Sequence, residues 1–280
     1  MSECRYKLQY MQSEGLQKWI EAQMMRGRYV FIKEDVTNLG MYSKTDSLNR
    51  ALYRAQEKGV IMSPWQNFYV AIPMEYRLKG EVPPSFYIDH LMRFLGREYY
   101  VSLLSAATLN GAGHQRAMVF QVTVQGKQIR SAVKNGTLLD FNLKKKIPSL
   151  YINKVKVQTG YMNVSCPELT ALDLVSQEEK VGGLSRVAEV LIELTERMKW
   201  DESKLALFDY FNAPVVQRLG YLLDLIEESE LANGLMQLAK QTGKIVRKVR
   251  LKQSKPETED MEIDKKWKII INQKIETDEI

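Results

Sequence analysis

The sequence predicts an α+β protein, and three observations across its 280 residues carry that expectation. Residues 8–72 combine helical apolar spacing with short β-rich runs, residues 117–160 alternate β-rich runs with Gly and Lys turns, and residues 167–242 return to helical spacing. The expected architecture is a small N-terminal domain with a two-stranded wing. A larger mixed domain follows, with an antiparallel sheet, C-terminal helices and a short β tail.

In the first domain, Leu16, Ile20 and Met24 recur at four-residue steps and define one face of a helix ending near Gly27. Tyr29 to Ile32 reads as a short strand. Lys33 to Leu39 reads as a second short helix, stopped by Gly40, which tolerates positive φ. Ser43, Thr45 or Asp46 is expected to cap the third helix, whose apolar stripe is Leu48, Ala51, Leu52 and Ala55. Val60 to Met62 and Phe68 to Ile72 then read as two strands around a turn at Ser63 to Asn67.

Helix, strand, two helices and a two-stranded wing make a winged helix-turn-helix, with the third helix as the recognition helix. Its polar face carries Lys44, Ser47, Asn49, Arg50, Tyr53 and Arg54, side chains that can meet phosphates or base edges. The candidate DNA-binding set is Ser43, Lys44, Thr45, Ser47, Asn49, Arg50, Tyr53 and Arg54, with Trp65 and Gln66 from the wing tip. Residues 1–80 hold twelve basic against eight acidic side chains, a net of +4, which favours a polyanion modestly. The same pattern would also serve a module that docks another protein and has no DNA-sequence preference.

Gly80, Pro83 and Pro84 make Lys79 to Ser85 the best hinge, so the expected domains are 1–79 and 80–280. Beyond it, Phe86 to Leu95 and Glu98 to Leu109 read as helices, the second buried. Met118 to Val124, Gln128 to Val133, Thr137 to Leu143 and Tyr151 to Thr159 read as strands. Pro167 suits a helix N-terminus, with Leu169, Leu172 and Val175 facing inward. Clearer stripes follow from Leu184 to Met198 and from Val215 to Ile226, with a shorter helix around Leu205, Phe208 and Phe211 between them. Two β-like runs, Ile245 to Leu251 and Lys266 to Ile271, end the chain.

Composition narrows the chemistry. The net charge is +6, and neither an apolar stretch of spanning length nor a charged-then-apolar leader is visible, so a cytoplasmic protein without membrane contact is expected. Cys4 and Cys166 show no CxxC or Cys/His clustering and are expected to be free thiols; with only His90 and His114, an imidazole metal centre has no inventory. No cofactor is expected, because Gly111-Ala112-Gly113 and Gly182-Gly183 match neither a P-loop nor a dinucleotide fingerprint.

An enzyme is not expected. The nearest enzymatic reading is a degenerate nuclease at Asp140-x-Asn142-x-Lys144, weakened because the Asn142 amide replaces a charged cation ligand. Glu168 and Asp173, five apart on one helix, do not share a face and are not a carboxylate dyad. His114, Gln115 and Arg116 form the most polar cluster in an apolar block and read either as a partner or nucleic-acid contact or, the favoured reading, as hydrogen bonds closing the exit from a buried helix. Two segments are strongly basic: 126–160, with eight basic residues and one acid, and 244–256, with six basic residues and none acidic.

The string YYVSLLSAATLNGAGHQR at Tyr99 to Arg116, the VFQVTV strand after it and SCPELTALDLV at Ser165 to Val175 resemble the AbiEi-type antitoxins. A GGLSR helix start at Gly182 to Arg186 and a WKIIIN tail at Trp267 to Asn272 follow in the same order. The resemblance implies the antitoxin and repressor half of a type IV toxin-antitoxin, or abortive-infection, operon of phage defence. It implies further that the winged helix binds repeats in the protein's own promoter, with two copies on the DNA, and that the larger region antagonises a nucleotidyltransferase-type toxin. It transfers no catalytic residues.

Overall fold

The computed structural model describes residues 15–113, 119–134, 137–258 and 260–277. Cys4 and the His114, Gln115 and Arg116 cluster lie outside the described residues. By contact, the chain divides into two units: 1–98 with 132–139 and 155–162, and 99–131 with 140–154 and 163–280.

In the first unit, helix α1 (residues 15–25) precedes β1 (Val30–Ile32), α2 (Lys33–Asn38), α3 (Thr45–Glu57), β2 (Ile61–Trp65) and β3 (Phe68–Ala71). The three strands form a sheet of order β1-β3-β2 with antiparallel pairing throughout. Its core joins the stripes expected from spacing. Leu16 and Ile20 of α1 and Leu48, Ala51, Leu52 and Ala55 of α3 are buried with Phe31, Ile61 and Tyr69 from the strands. Phe31 anchors this core with Trp19 edge-on at 5.3 Å and Tyr69 stacked at 5.4 Å, arrangements that favour aromatic pairs. Pro64 is tolerated in β2 because that strand lies at the sheet edge.

Two local expectations are corrected. The N-cap of α3 is Lys44, in extended backbone, and no side chain caps the helix; the Lys44 carbonyl accepts from Ser47 and Leu48 N–H groups instead. Ser43, Thr45 and Asp46 are all exposed, and Asp46 instead lies in the first turn, where a negative charge suits the helix dipole. The wing turn is also tighter than the Ser63 to Asn67 reading. Strand β2 runs on to Trp65, and Gln66 and Asn67 alone make the turn, Asn67 at φ 62°. The Ser63 hydroxyl lies 2.9 Å from the Trp65 carbonyl and 3.1 Å from that of Phe68, which steadies the bulge preceding the turn.

After a short helix α4 (Ile88–Phe94), the chain enters β4 (Tyr99–Val101), α5 (Leu103–Leu109), β5 (Val119–Gln125), β6 (Ala132–Lys134), β7 (Thr137–Lys144), β8 (Ile152–Val157) and β9 (Gly160–Ser165). The six strands have the order β6-β7-β5-β4-β9-β8. The pairs β4–β5 and β6–β7 are antiparallel, in keeping with the antiparallel sheet expected, and β4–β9 is a parallel pair that the expectation did not include. The expected helix from Glu98 to Leu109 is split. Tyr99, Tyr100 and Val101 pair with Val122 to Val124, and α5 starts at Leu103, which adopts φ 53°. Tertiary pairing of three β-formers here outweighs the helical apolar pattern.

The remaining elements of the second unit are α6 (Pro167–Ser176), α7 (Leu184–Leu194), α8 (Ala213–Leu225), α9 (Ser229–Gln241) and the short strands β10 (Val249–Arg250), β11 (Ile263–Asp264) and β12 (Ile269–Ile270). The stretch around Leu205 and Phe208 is a 3-10 helix, Glu202–Tyr210. Helix α6 is central: Glu168 to Val175 are all buried, so it is enclosed on every side, beyond the single inward face expected. Trp267 packs its ring onto Gly220 of α8 and donates from Nε1 to Asp224 at 2.6 Å. Gln217 Nε2 donates to the Trp267 carbonyl at 2.7 Å, tying the C-terminal strands to α8.

Candidate functional site

Helix α3 turns its apolar stripe into the first unit's core, and the helical period then dictates what faces outward. Lys44, Asn49, Arg50, Tyr53 and Arg54 are exposed and Ser47 is half-buried. With Ser43 and Thr45, also exposed, the whole candidate set from this segment lies at the helix start or along its outer face. Tyr53, on the same outer face, is 62% exposed. The charge of Arg54 works against the rise that burial imposes on the Tyr42 hydroxyl pKa, so the two side chains are electrostatic neighbours.

From the hairpin, Gln66 is exposed at the turn and Trp65 is half-buried. The turn is fixed to the helical part by a hydrogen bond from the Lys33 N–H to the Asn67 carbonyl at 2.9 Å. The arrangement is a rigid helix offering two guanidinium groups, an ammonium, an amide and hydroxyls, beside a hairpin whose tip is held by backbone bonding. Its chemistry is that of donors for phosphate and base-edge acceptors.

The Asp140-x-Asn142-x-Lys144 motif sits on β7 with its residues on one face, as the two-residue strand period requires. Each is engaged separately. Asp140 accepts from the Ser131 hydroxyl at 2.7 Å, buried Asn142 accepts from Lys180, and Lys144 donates to Asp173 at 2.8 Å. Among the described residues, no three His, Cys, Asp or Glu side chains are grouped so as to hold a metal ion.

Sequence reasoning missed the use made of the two acids on α6. Glu168 pairs with Lys204 at 3.0 Å and accepts from the Lys199 N–H at 2.9 Å. Asp173 pairs with Lys144 and accepts from the buried Tyr100 hydroxyl at 2.8 Å. Burial first, and then the Asp173 charge, raise the Tyr100 pKa well above its ordinary value. Burial, then Glu168, push the Cys166 thiol up to about 12. The one local signal was an acid in an otherwise apolar helix, repeated five residues on. The basic partners lie 29 and 36 residues away and could not be paired by spacing.

Three of the six basic side chains in 244–256 are engaged internally. Lys244 donates to the Phe211 carbonyl at 2.8 Å, Lys252 pairs with Glu178, and Arg250 donates to the Lys255 carbonyl at 3.1 Å. No helix among the described residues is long and apolar enough to cross a membrane.

Residues 100–225 match the family described as the AbiEi antitoxin C-terminal domain. That segment contains the central strings, apart from Tyr99, and the GGLSR helix start; α3, the β2–β3 hairpin and the WKIIIN tail lie outside it. No curated protein matches the chain. Among solved structures, the chain is similar to the crystal structure of the RV2827C protein from Mycobacterium tuberculosis, with 14% sequence identity and a TM-score of 0.67 over 93% of this chain and 91% of that one. At that identity the likeness is one of fold.

Proposed function

We infer from the AbiEi-type antitoxin domain, to which residues 100–225 belong, that this chain is the antitoxin of a toxin-antitoxin pair and also the repressor of its own operon. In this reading residues 1–79 form a winged helix-turn-helix that binds repeats in promoter DNA, and residues 80–280 neutralise a nucleotidyltransferase-type toxin encoded beside it. The protein is not an enzyme in this reading. It works in the cytoplasm.

The observation that carries the DNA-binding half is the outer face of α3. Arg50 and Arg54 lie one helical turn apart and are both exposed, with Lys44 and Asn49 beside them and the hairpin following. The order helix, β1, α2, α3, β2, β3, with β1 closing the hairpin sheet, supports the winged-helix assignment. A recognition helix enters the major groove and a flanking wing meets the backbone, so α3 supplies base contacts and Trp65 and Gln66 the outer contacts. Promoter repeats place two copies on one duplex.

A docking module is the second reading, and exposed Tyr53 is the observation that favours it, because aromatic anchors of this kind concentrate at protein interfaces. Fluorescence anisotropy separates the two. The duplex immediately upstream of the gene and a shuffled duplex of equal length are titrated at near-physiological salt. Preference for the native duplex is expected, and Arg50→Ala with Arg54→Ala should weaken it and narrow the gap between the native and the shuffled duplex. Equal, weak binding of both duplexes would reject the repressor reading and leave the docking one. Protection of cells from co-expressed toxin should survive both substitutions.

A further inference from the structure

We propose that the cleft of about 670 Å³ between the end of β7, the end of α6 and the start of α8 binds a phosphorylated small molecule carrying hydroxyl groups, of the nucleotide or sugar-phosphate class. The cleft belongs to the second unit alone and is independent of the DNA-binding reading.

Its inner wall is built and internally satisfied. Lys144 is held by Asp173 at 2.8 Å and lies 4.0 Å over the Phe211 ring, while Tyr100 completes the set through its own bond to Asp173. The pair is charge-neutral and fixes the floor. The rim is different in kind. Lys145, Lys146, Ser176, Gln177 and Asn212 line the cleft, and among the described residues none of their side-chain donor groups makes a hydrogen bond or ion pair with the protein. Lys146 reaches only the face of Tyr210, at 5.5 Å. Asn212 spends its carbonyl oxygen on the Val215 N–H, as the N-cap of α8, which leaves its amide NH₂ available to the cleft.

Five donor-bearing side chains around one concavity call for an acceptor-rich ligand, and two ammonium groups select an anionic one. Phosphate meets both demands. The single acid on the rim, exposed Asp209, accepts and does not donate, so it suits a hydroxyl donor on the same ligand. The volume falls within the range of small-molecule sites. With neutral Lys144–Asp173 below and two lysines against one aspartate at the rim, the local balance stays positive after Asp209 is counted.

Isothermal titration calorimetry of the full chain at low salt tests this. The probes are AMP, ribose 5-phosphate and pyrophosphate, with adenosine and ribose as phosphate-free counterparts and hexaglutamate as an acidic peptide. AMP or ribose 5-phosphate should bind and its phosphate-free counterpart should not, the stronger of the two identifying the class. Lys145→Gln with Lys146→Gln should weaken that binding at least about tenfold with an unchanged circular dichroism spectrum. Asp209→Asn should weaken the hydroxyl-bearing probe relative to pyrophosphate, whose binding should hold or tighten because a negative charge is removed from the rim. The proposal is overturned if no phosphorylated probe binds at about 10 mM, if hexaglutamate binds more tightly than every phosphorylated probe, or if the double substitution leaves affinity unchanged while Arg50→Ala with Arg54→Ala removes it. The last outcome would put the anion on α3.

Discussion

Replacing Gly220 by Ala inverts an ordinary rule of helix stability. In a solvent-exposed helix interior the substitution gains about 1 kcal/mol, because glycine carries the larger entropy cost of folding. Gly220 is buried inside α8, and a Cβ placed there would sit 2.2 Å from one carbon of the Trp267 ring and 2.3 Å from two others. Ordinary contact begins near 3.4 Å, so the ring must retreat by about 1.2 Å, the difference between the two distances. Trp267 is fully buried, and Asp224 at 2.6 Å and Gln217 at 2.7 Å hold its indole nitrogen and carbonyl. Overpacking of this kind costs about 1–3 kcal/mol, and a lost buried hydrogen bond about 1 kcal/mol more. The expected net effect is destabilisation by about 1–3 kcal/mol after the helix gain is subtracted. Urea titration followed by circular dichroism measures it, and Trp267→Leu completes a double-substitution cycle. Against the smaller Leu, Gly220→Ala should cost little or stabilise, giving a coupling of at least about 1 kcal/mol. Stabilisation of the wild-type background by Gly220→Ala, or additivity with Trp267→Leu, would refute the packing argument.

Lys204→Met should destabilise the second unit by about 3 kcal/mol, since it leaves the buried Glu168 carboxylate without a counter-charge, held only by the neutral Lys199 N–H and Cys166 thiol; Glu168→Gln in the same background should recover part of the loss in thermal denaturation. Stability should also fall at alkaline pH. Cys166, up from 9.0 to about 12, and Tyr100, raised from 10.0, hold protons in the folded state that the unfolded chain releases, so their contribution is full below pH 9 and is lost as pH climbs towards 12. A urea midpoint that stays flat from pH 8 to about 11 would contradict it. Cys166 should resist thiol reagents at pH 8 in the folded protein and react once it is denatured. Asn272→Ala should loosen residues 252–255 by about 2 kcal/mol, because one amide bonds the Lys252 N–H, the Lys252 carbonyl and the Lys255 carbonyl at 2.8–2.9 Å; faster amide exchange confined to that segment is the readout.

What the sequence determined by itself is what short-range periodicity encodes. The stripes of Leu16 and Ile20 and of Leu48, Ala51, Leu52 and Ala55 predicted both helices and the face each buries, and hence the outward position of Arg50 and Arg54. The strings from Tyr99 to Arg116 and from Ser165 to Val175 carried the AbiEi resemblance, which the match over residues 100–225 now supports. Tertiary structure decided the rest. Tyr99 to Val101 became a strand, within what the apolar run presented as one helix, because its pairing partners lie more than twenty residues away on β5 and, in parallel, on β9. Strand β9, left unassigned by a local pattern containing Gly160 and Asn163, exists through that same pairing. Asp173 and Glu168 gained their lysines, and the rim of the cleft its donors, only once β7, α6, the 3-10 helix Glu202–Tyr210 and α8 were brought together. Periodicity reports which side of an element is apolar; which distant side chain meets a buried charge depends on how the elements pack, and that is not written in any single window of residues.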